Sequence, residues 1–388
     1  MDRLEGKNHK KLLGLYVHIP FCLKKCNYCD FLSAPAKKEE IAQYFLTLKK
    51  EILSCKAWAS LYSVQSIFFG GGTPTLPDEE WLIQILEEIK ASFLVEEKAE
   101  ITLECNPETV NQEKLRRYRK AGFNRISFGL QSVEEKELKE LGRVHTYQRF
   151  LESFTAAREE GFLNCNIDLM FGLPKQTLYG WENTIRTVIA LKPEHISAYS
   201  LIIEEGTAFF EKMEKGQLSL PDEEEERQMY QKTEQWLKEA GYQRYEISNY
   251  AKPGWECQHN LIYWSGQEYL GLGLGASSYM NGVRFRNPSD LEEYQKYKVN
   301  LEPYYIEVER LTLTNQMEEF MFLGLRRMDG ISKREFKRRF GYFLESVYGE
   351  VIKKWEKEGL LEETEDRIWL TQKGIDVSNV VLADFLFE

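Results

Sequence analysis

The chain has 388 residues, 43% hydrophobic, 29% charged and 13% aromatic, a mixture that builds a large core and excludes wholesale disorder. No apolar run reaches the roughly 18 residues of a membrane helix. The formal charge of −11, from 51 basic and 62 acidic residues, disfavours a surface built to neutralise phosphates, so no nucleic-acid partner is expected. The basic stretch at 1–11 is followed by apolar residues that stop at Pro20 and Cys22 with no small-residue cleavage site. It does not read as a signal peptide, and a cytoplasmic location is expected. Seven cysteines in such a chain point to metal or redox chemistry rather than disulfides.

Strand-like segments at 13–19, 64–69, 100–105, 124–130, 164–170 and 195–201 alternate with helical stretches at 39–55, 78–93, 111–121, 147–160 and 177–191. This alternation predicts βαβ units and a parallel sheet. The strands are not continuous apolar runs, as strands covered on both faces would be. Tyr16 and His18 alternate with Leu15, Val17 and Ile19; Thr102, Glu104 and Asn106 alternate with Ile101, Leu103 and Cys105. Arg125, Ser127 and Gln131 alternate with Ile126, Phe128 and Leu130; Asn164, Asn166 and Asp168 alternate with Ile167 and Leu169. A side-chain period of two gives each strand one apolar and one polar face. A polar face turned inward is costly unless it meets water or a ligand. The fold class expected is therefore α/β, as an incomplete (β/α)6 barrel with a ligand-filled lumen.

Pro221-Asp222 followed by four glutamates reads as a solvated helix start, running to about residue 240. Residues 243–290 are irregular, aromatic and glycine-rich. Helices are expected at 315–327, 332–340 and 344–358, then two short strands at 360–362 and 367–370. Three helices and a hairpin resemble a winged-helix module. Its basic part is only 333–339, which favours a structural or docking role over DNA reading. The domains expected are a barrel at 1–240, an extension at 241–305 and a helical, winged-helix-like module at 306–388.

The strongest chemical signal is Cys22-Leu-Lys-Lys-Cys26-Asn-Tyr-Cys29, directly after the first strand. Three thiolates within eight residues can hold three irons of a cubane cluster and leave the fourth iron open. Structural zinc wants four closed ligands, and Asp30 is the only nearby candidate for the fourth. Gly70-Gly71-Gly72-Thr73-Pro74 follows the second strand, where glycines let the backbone approach a ligand closely. Cys55, Cys105 and Cys165 sit on apolar faces and read as small core residues.

The CxxxCxxC spacing resembles the signature of the radical S-adenosylmethionine (radical SAM) superfamily. The run Tyr16-Val-His18-Ile-Pro20-Phe21-Cys22 is similar to the entry motif of its HemN-like, coproporphyrinogen dehydrogenase-like branch. The resemblance implies a [4Fe-4S] cluster on Cys22, Cys26 and Cys29. Its open iron would chelate SAM, which electron transfer cleaves to a 5′-deoxyadenosyl radical. The glycine motif, with Gly71, Gly72 and Thr73, resembles the segment that holds the SAM amino group. Tyr16, Tyr28, Glu104, Gln131, Arg143 and Asp168 match further positions that contact SAM.

Two functions lie within this branch. The oxygen-independent coproporphyrinogen III oxidase typically carries another cysteine two residues after the third, and a long N-terminal extension. Here Phe31 stands at that position and 21 residues precede Cys22. Both features resemble the HemW-type heme chaperones, which implies heme binding and delivery to membrane respiratory hemoproteins. A homodimer and a peripheral place at the inner membrane face are implied in the same way. His259-Asn-Leu-Ile-Tyr263-Trp264 resembles their heme-binding motif, with His259 as axial ligand and Cys257 as runner-up. Oxidative decarboxylation of coproporphyrinogen III remains the alternative.

Overall fold

The computed structural model describes residues 10–296 and 305–387. Six parallel strands stand side by side in chain order: β1 (Lys11–Ile19), β2 (Tyr62–Gly71), β3 (Leu94–Cys105), β4 (Arg125–Gln131), β5 (Asn164–Phe171) and β6 (His195–Ser200). The helices Lys38–Ser54, Glu79–Ser92, Gln112–Ala121, Tyr147–Glu159 and Leu178–Ala190 carry the crossovers. Four of them begin on a side-chain cap, from Asp78, Asn111, Thr146 and Thr177, each contributing about 1 kcal/mol. Asp222 caps the helix Glu223–Glu239, whose first turn holds the acidic run. Leu13, Leu15, Val17 and Ile19 of β1 are fully buried, as are Ile126, Phe128 and Leu130 of β4. These residues join the helix faces in one large core, so the opposite, polar faces of the strands are left to line the lumen.

Past residue 240 the sheet continues on both sides of this six-stranded unit. Strand β8 (Asn249–Ala251) pairs antiparallel with β6, and β7 (Gln243–Arg244) pairs antiparallel with β8. Strand β9 (Tyr269–Leu272) pairs parallel with β1, and β10 (Ser277–Met280), β11 (Val283–Arg286) and β12 (Ile306–Arg310) follow antiparallel. The sheet of 12 strands has the order β12-β11-β10-β9-β1-β2-β3-β4-β5-β6-β8-β7, with β12 and β7 at its ends, and the barrel stays incomplete. Residues 240 and 306 therefore both lie within the span of one sheet, and the segment that reads as irregular supplies five of its strands, including the edge strand β7. Its strands are two to four residues long, too short for a period-two pattern to emerge.

The C-terminal module packs the helices Leu313–Gly324, Lys333–Phe340 and Leu344–Lys357 around a core that includes Phe320, Phe336, Leu344 and Ile368. A small sheet pairs β13 (Ile331–Ser332) and β14 (Leu361–Glu363) with β15 (Arg367–Leu370), and two short helices follow. The module is clamped to the sheet extension. Arg284 makes a bidentate pair with Glu319 at 2.7 and 2.9 Å, and Arg327 donates to Ser265 Oγ at 2.7 Å. No described helix is long and apolar enough to cross a membrane.

Candidate functional site

The cysteine loop begins where β1 ends. Cys22, Cys26 and Cys29 are free thiols, each half-buried. The glycine loop after β2 holds their segment: Gly72 N donates to the Ile19 carbonyl and Thr73 N to the Phe21 carbonyl, both at 2.8 Å. Gly71 has φ +113°, and a Cβ there would lie 2.6 Å from the His18 ring. A Cβ on Gly72 would lie 2.8 Å from the Phe21 carbonyl oxygen and 3.0 Å from Cys22 Sγ. Only glycine lets this backbone lie against the loop. His18 hydrogen-bonds the Leu32 carbonyl at 2.8 Å, and so fixes the far end of the loop. Asn27 N donates to the Leu141 carbonyl at 2.9 Å.

Burial pushes the Cys29 thiol up, so a thiolate there needs positive charge beside it. A metal centre supplies that charge, and the chemistry of three thiols on one loop suits it. Among the described residues no three His, Cys, Asp or Glu side chains converge as ligands of a single ion. Thiolates bound to separate irons of a cluster need no such convergence.

Above the loop, the polar strand faces meet in the lumen. Tyr16 OH and His18 Nδ1 are 3.0 Å apart, and Gly71 N donates to Glu104 Oε2 at 3.1 Å. Asp168 accepts from Tyr199 OH at 2.6 Å, Asn166 Nδ2 at 2.7 Å and Ser127 Oγ at 3.1 Å. Arg143 donates to Cys26 Sγ at 3.6 Å, which joins the lumen to the cysteine loop. Burial, and then the nearby Asp168 charge, push the Glu104 carboxyl up to about 8. A cationic ligand group beside it would reverse that shift.

Two features mark the place of a polar ligand. Gln131 ends β4 in the left-handed region, at φ +77°, an uncommon conformation for a residue with a side chain. Its Oε1 and Arg143 Nε are both buried without a hydrogen-bond partner, although buried polar atoms are nearly always paired. An amine, a carboxylate and hydroxyls, the groups SAM presents, are what Glu104, Arg143, Gln131 and Asp168 can bind. Tyr28 packs beside this group, against Leu141, Met170 and Phe209.

His259 stands apart from these residues. The short helix Gln258–Trp264 lies across the lumen side of the sheet, with its first N–H groups, from Gln258 and His259, on Glu100 at 3.2 Å. The His259 ring is 1% exposed and stacks on Phe68 with centroids 5.1 Å apart. One ring nitrogen bonds Ser66 Oγ at 2.8 Å and the other bonds Tyr263 OH at 2.8 Å. Burial, with Arg125 nearby, pushes its pKa down to about 3, so the ring is neutral. The expected open axial ligand is thus closed here: neither nitrogen faces a ligand until a partner moves. Cys257 is also enclosed, with its Sγ 3.5 Å from Glu100 Oε1 and its thiol pushed up to about 12.

A cavity of about 540 Å³ connects the two regions. Tyr16, Gly71 and Glu104 line one end, Tyr263 and Tyr269 a wall, and Arg284 and Arg339 the other end, with Phe31 at the cysteine loop. Sequence reasoning left Tyr199, Ser66, Phe68 and Glu100 without roles, although they hold Asp168 and His259. Each lies two or four positions from another lumen residue on its own strand, and the alternation carried along all six strands would have found them.

A family model for the radical SAM superfamily matches residues 16–188, and one for the HemN C-terminal domain matches 311–377. The chain is 39% identical over 374 residues to the heme chaperone HemW of Bacillus subtilis (strain 168), covering 96% of this chain and 99% of that one. With HemW of Escherichia coli (strain K12) it shares 35% over 387 residues, covering 97% and 98%. The solved coproporphyrinogen III oxidase (HemN) of Escherichia coli superposes with a TM-score of 0.84 over 97% of this chain and 90% of that one. At 24% identity, this likeness shows the fold. The incomplete radical SAM barrel and its HemN-type C-terminal module are therefore those of a known architecture, and relatives over nearly the whole length are heme chaperones. The chain belongs to the radical SAM superfamily and, within it, to the HemW heme chaperone family.

Proposed function

We propose that this protein is a heme chaperone whose heme enters the cavity between the barrel and the C-terminal module. Membership of the superfamily implies a [4Fe-4S] cluster and SAM; when bound, they supply one-electron reduction and a 5′-deoxyadenosyl radical. Cys22, Cys26 and Cys29 would hold the cluster. Tyr16, Tyr28, Gly71, Gly72, Thr73, Glu104, Gln131, Arg143 and Asp168 would bind and orient SAM. Gly72 and Thr73 fix the cysteine loop; the glycine motif would hold the SAM amino group, with Glu104, on Gly71 N, at the methionine or ribose part.

The observation that carries the heme reading is the wall at Tyr263. This tyrosine lines the cavity and its hydroxyl covers a ring nitrogen of His259. Movement of the Tyr263 side chain away from His259 would therefore free a nitrogen of this buried, neutral histidine as a candidate heme ligand beside an aromatic cavity. A volume of about 540 Å³ lies inside the range usual for small-molecule sites, roughly 300–1,000 Å³. Passage of heme to membrane respiratory hemoproteins, by a homodimer attached peripherally, completes the proposal. The family relationship supports that step.

The test uses cluster-loaded protein, reduced and supplied with SAM. Heme should bind with a stable Soret spectrum, and coproporphyrinogen III should not turn over. Formation of protoporphyrinogen IX at enzymatic rates would overturn the chaperone reading in favour of the oxidase.

A further inference from the structure

The end of the cavity far from Glu104 carries two guanidinium groups in different electrostatic states. Arg284 is neutralised by its bidentate pair with Glu319. Arg339 has no carboxylate partner among the described residues. It donates to the backbone carbonyls of Ser265, at 3.2 Å, and Gly266, and lies 5.8 Å from the Phe320 ring centroid. Its charge is therefore unspent at the rim of an aromatic cavity. Glu104 and Glu319 are the carboxylates that also line it: the first is at the opposite end, the second already paired.

We infer that Arg339 is the carboxylate anchor of this cavity and sets its preference for an acid-bearing flat ligand. The inference rests on the proposed heme function and deepens it. Guanidinium binds carboxylate through paired, charge-assisted hydrogen bonds, stronger than those it makes to neutral carbonyls. A ligand carboxylate arriving there exchanges two neutral acceptors for a charged one, while the porphyrin-like plane lies along Tyr263, Tyr269 and Phe320. The helix Lys333–Phe340 supplies the anchor, so the C-terminal module takes part in ligand choice rather than only closing the fold.

The experiment compares heme with heme dimethyl ester, whose carboxylates are masked, by absorbance titration of the full chain. Wild type should prefer the free acid by about tenfold or more, the worth of one charge-assisted hydrogen bond. Arg339→Gln should lose that preference while its affinity for the ester stays near wild type, which also reports that the variant is folded. Arg339→Lys should keep part of it, and SAM affinity should be unchanged in both. A preference for the acid that survives in Arg339→Gln overturns the inference, as does a variant that loses SAM binding instead. Wild-type protein that binds neither ligand would remove the heme reading itself, an outcome distinct from a lost preference.

Discussion

Glu104 is the residue whose environment says most about what the lumen expects. Its pKa, raised from the ordinary value to about 8, means that the folded protein holds a proton the unfolded chain releases. The stability linked to that proton is fully present below the unfolded value and is lost as pH rises through about 8. Glu104→Gln should therefore lose less thermal stability than wild type between pH 6 and 9, and bind SAM more weakly at pH 9. Parallel melting curves and SAM titrations at the two pH values check both statements. If wild type and variant lose the same stability, the carboxyl is not buried as described. Gly71 makes the complementary point about space. Alanine there meets the His18 ring in a left-handed backbone, and should cost about 1–3 kcal/mol in urea unfolding while loosening the cysteine loop. Unchanged iron content and stability in Gly71→Ala would contradict that close approach.

At the level of elements, the helix Gln258–Trp264 is where sequence and structure part. The motif His259-x3-Tyr263 places both side chains one helical turn apart, so they face each other, and the sequence does contain that contact. It does not contain Ser66, Phe68 and Glu100, which reach His259 from strands 159 to 193 residues earlier and bury it. Tyr263→Phe tests the latch directly. It removes one hydrogen bond, at about 0.5–1.5 kcal/mol of stability, and leaves a nitrogen of His259 free. Heme ligation followed by stopped-flow absorbance should become faster in this variant; slower or absent ligation would mean that Tyr263 assists rather than masks. The barrel strands were legible for the opposite reason. Each buries one face against helices, so Leu15, Val17 and Ile19 alternate visibly with Tyr16 and His18. The short strands around Tyr269 and Ser278 are fixed by their neighbours in the sheet, and their few residues carry no such rhythm.

The molecule as a whole places its acidic surface around a polar lumen, with the cysteine loop and the aromatic cavity sharing one end of the barrel. The net charge of −11 disfavours a surface built to neutralise phosphates. The candidate cluster cysteines and the lumen-facing positions are legible in the sequence, because close spacing and strand periodicity are local properties. The closure of His259 depends on how its helix meets strands distant in sequence, and the position of Arg339 on how the C-terminal module meets the sheet extension; no local pattern encodes either. The most direct test of the account is the optical spectrum of heme bound to wild type and to His259→Ala. Wild type should show an axially ligated Soret band that the variant loses, while cluster content and SAM binding stay intact. An identical spectrum and affinity in His259→Ala would contradict the account, and would place the heme iron on another residue.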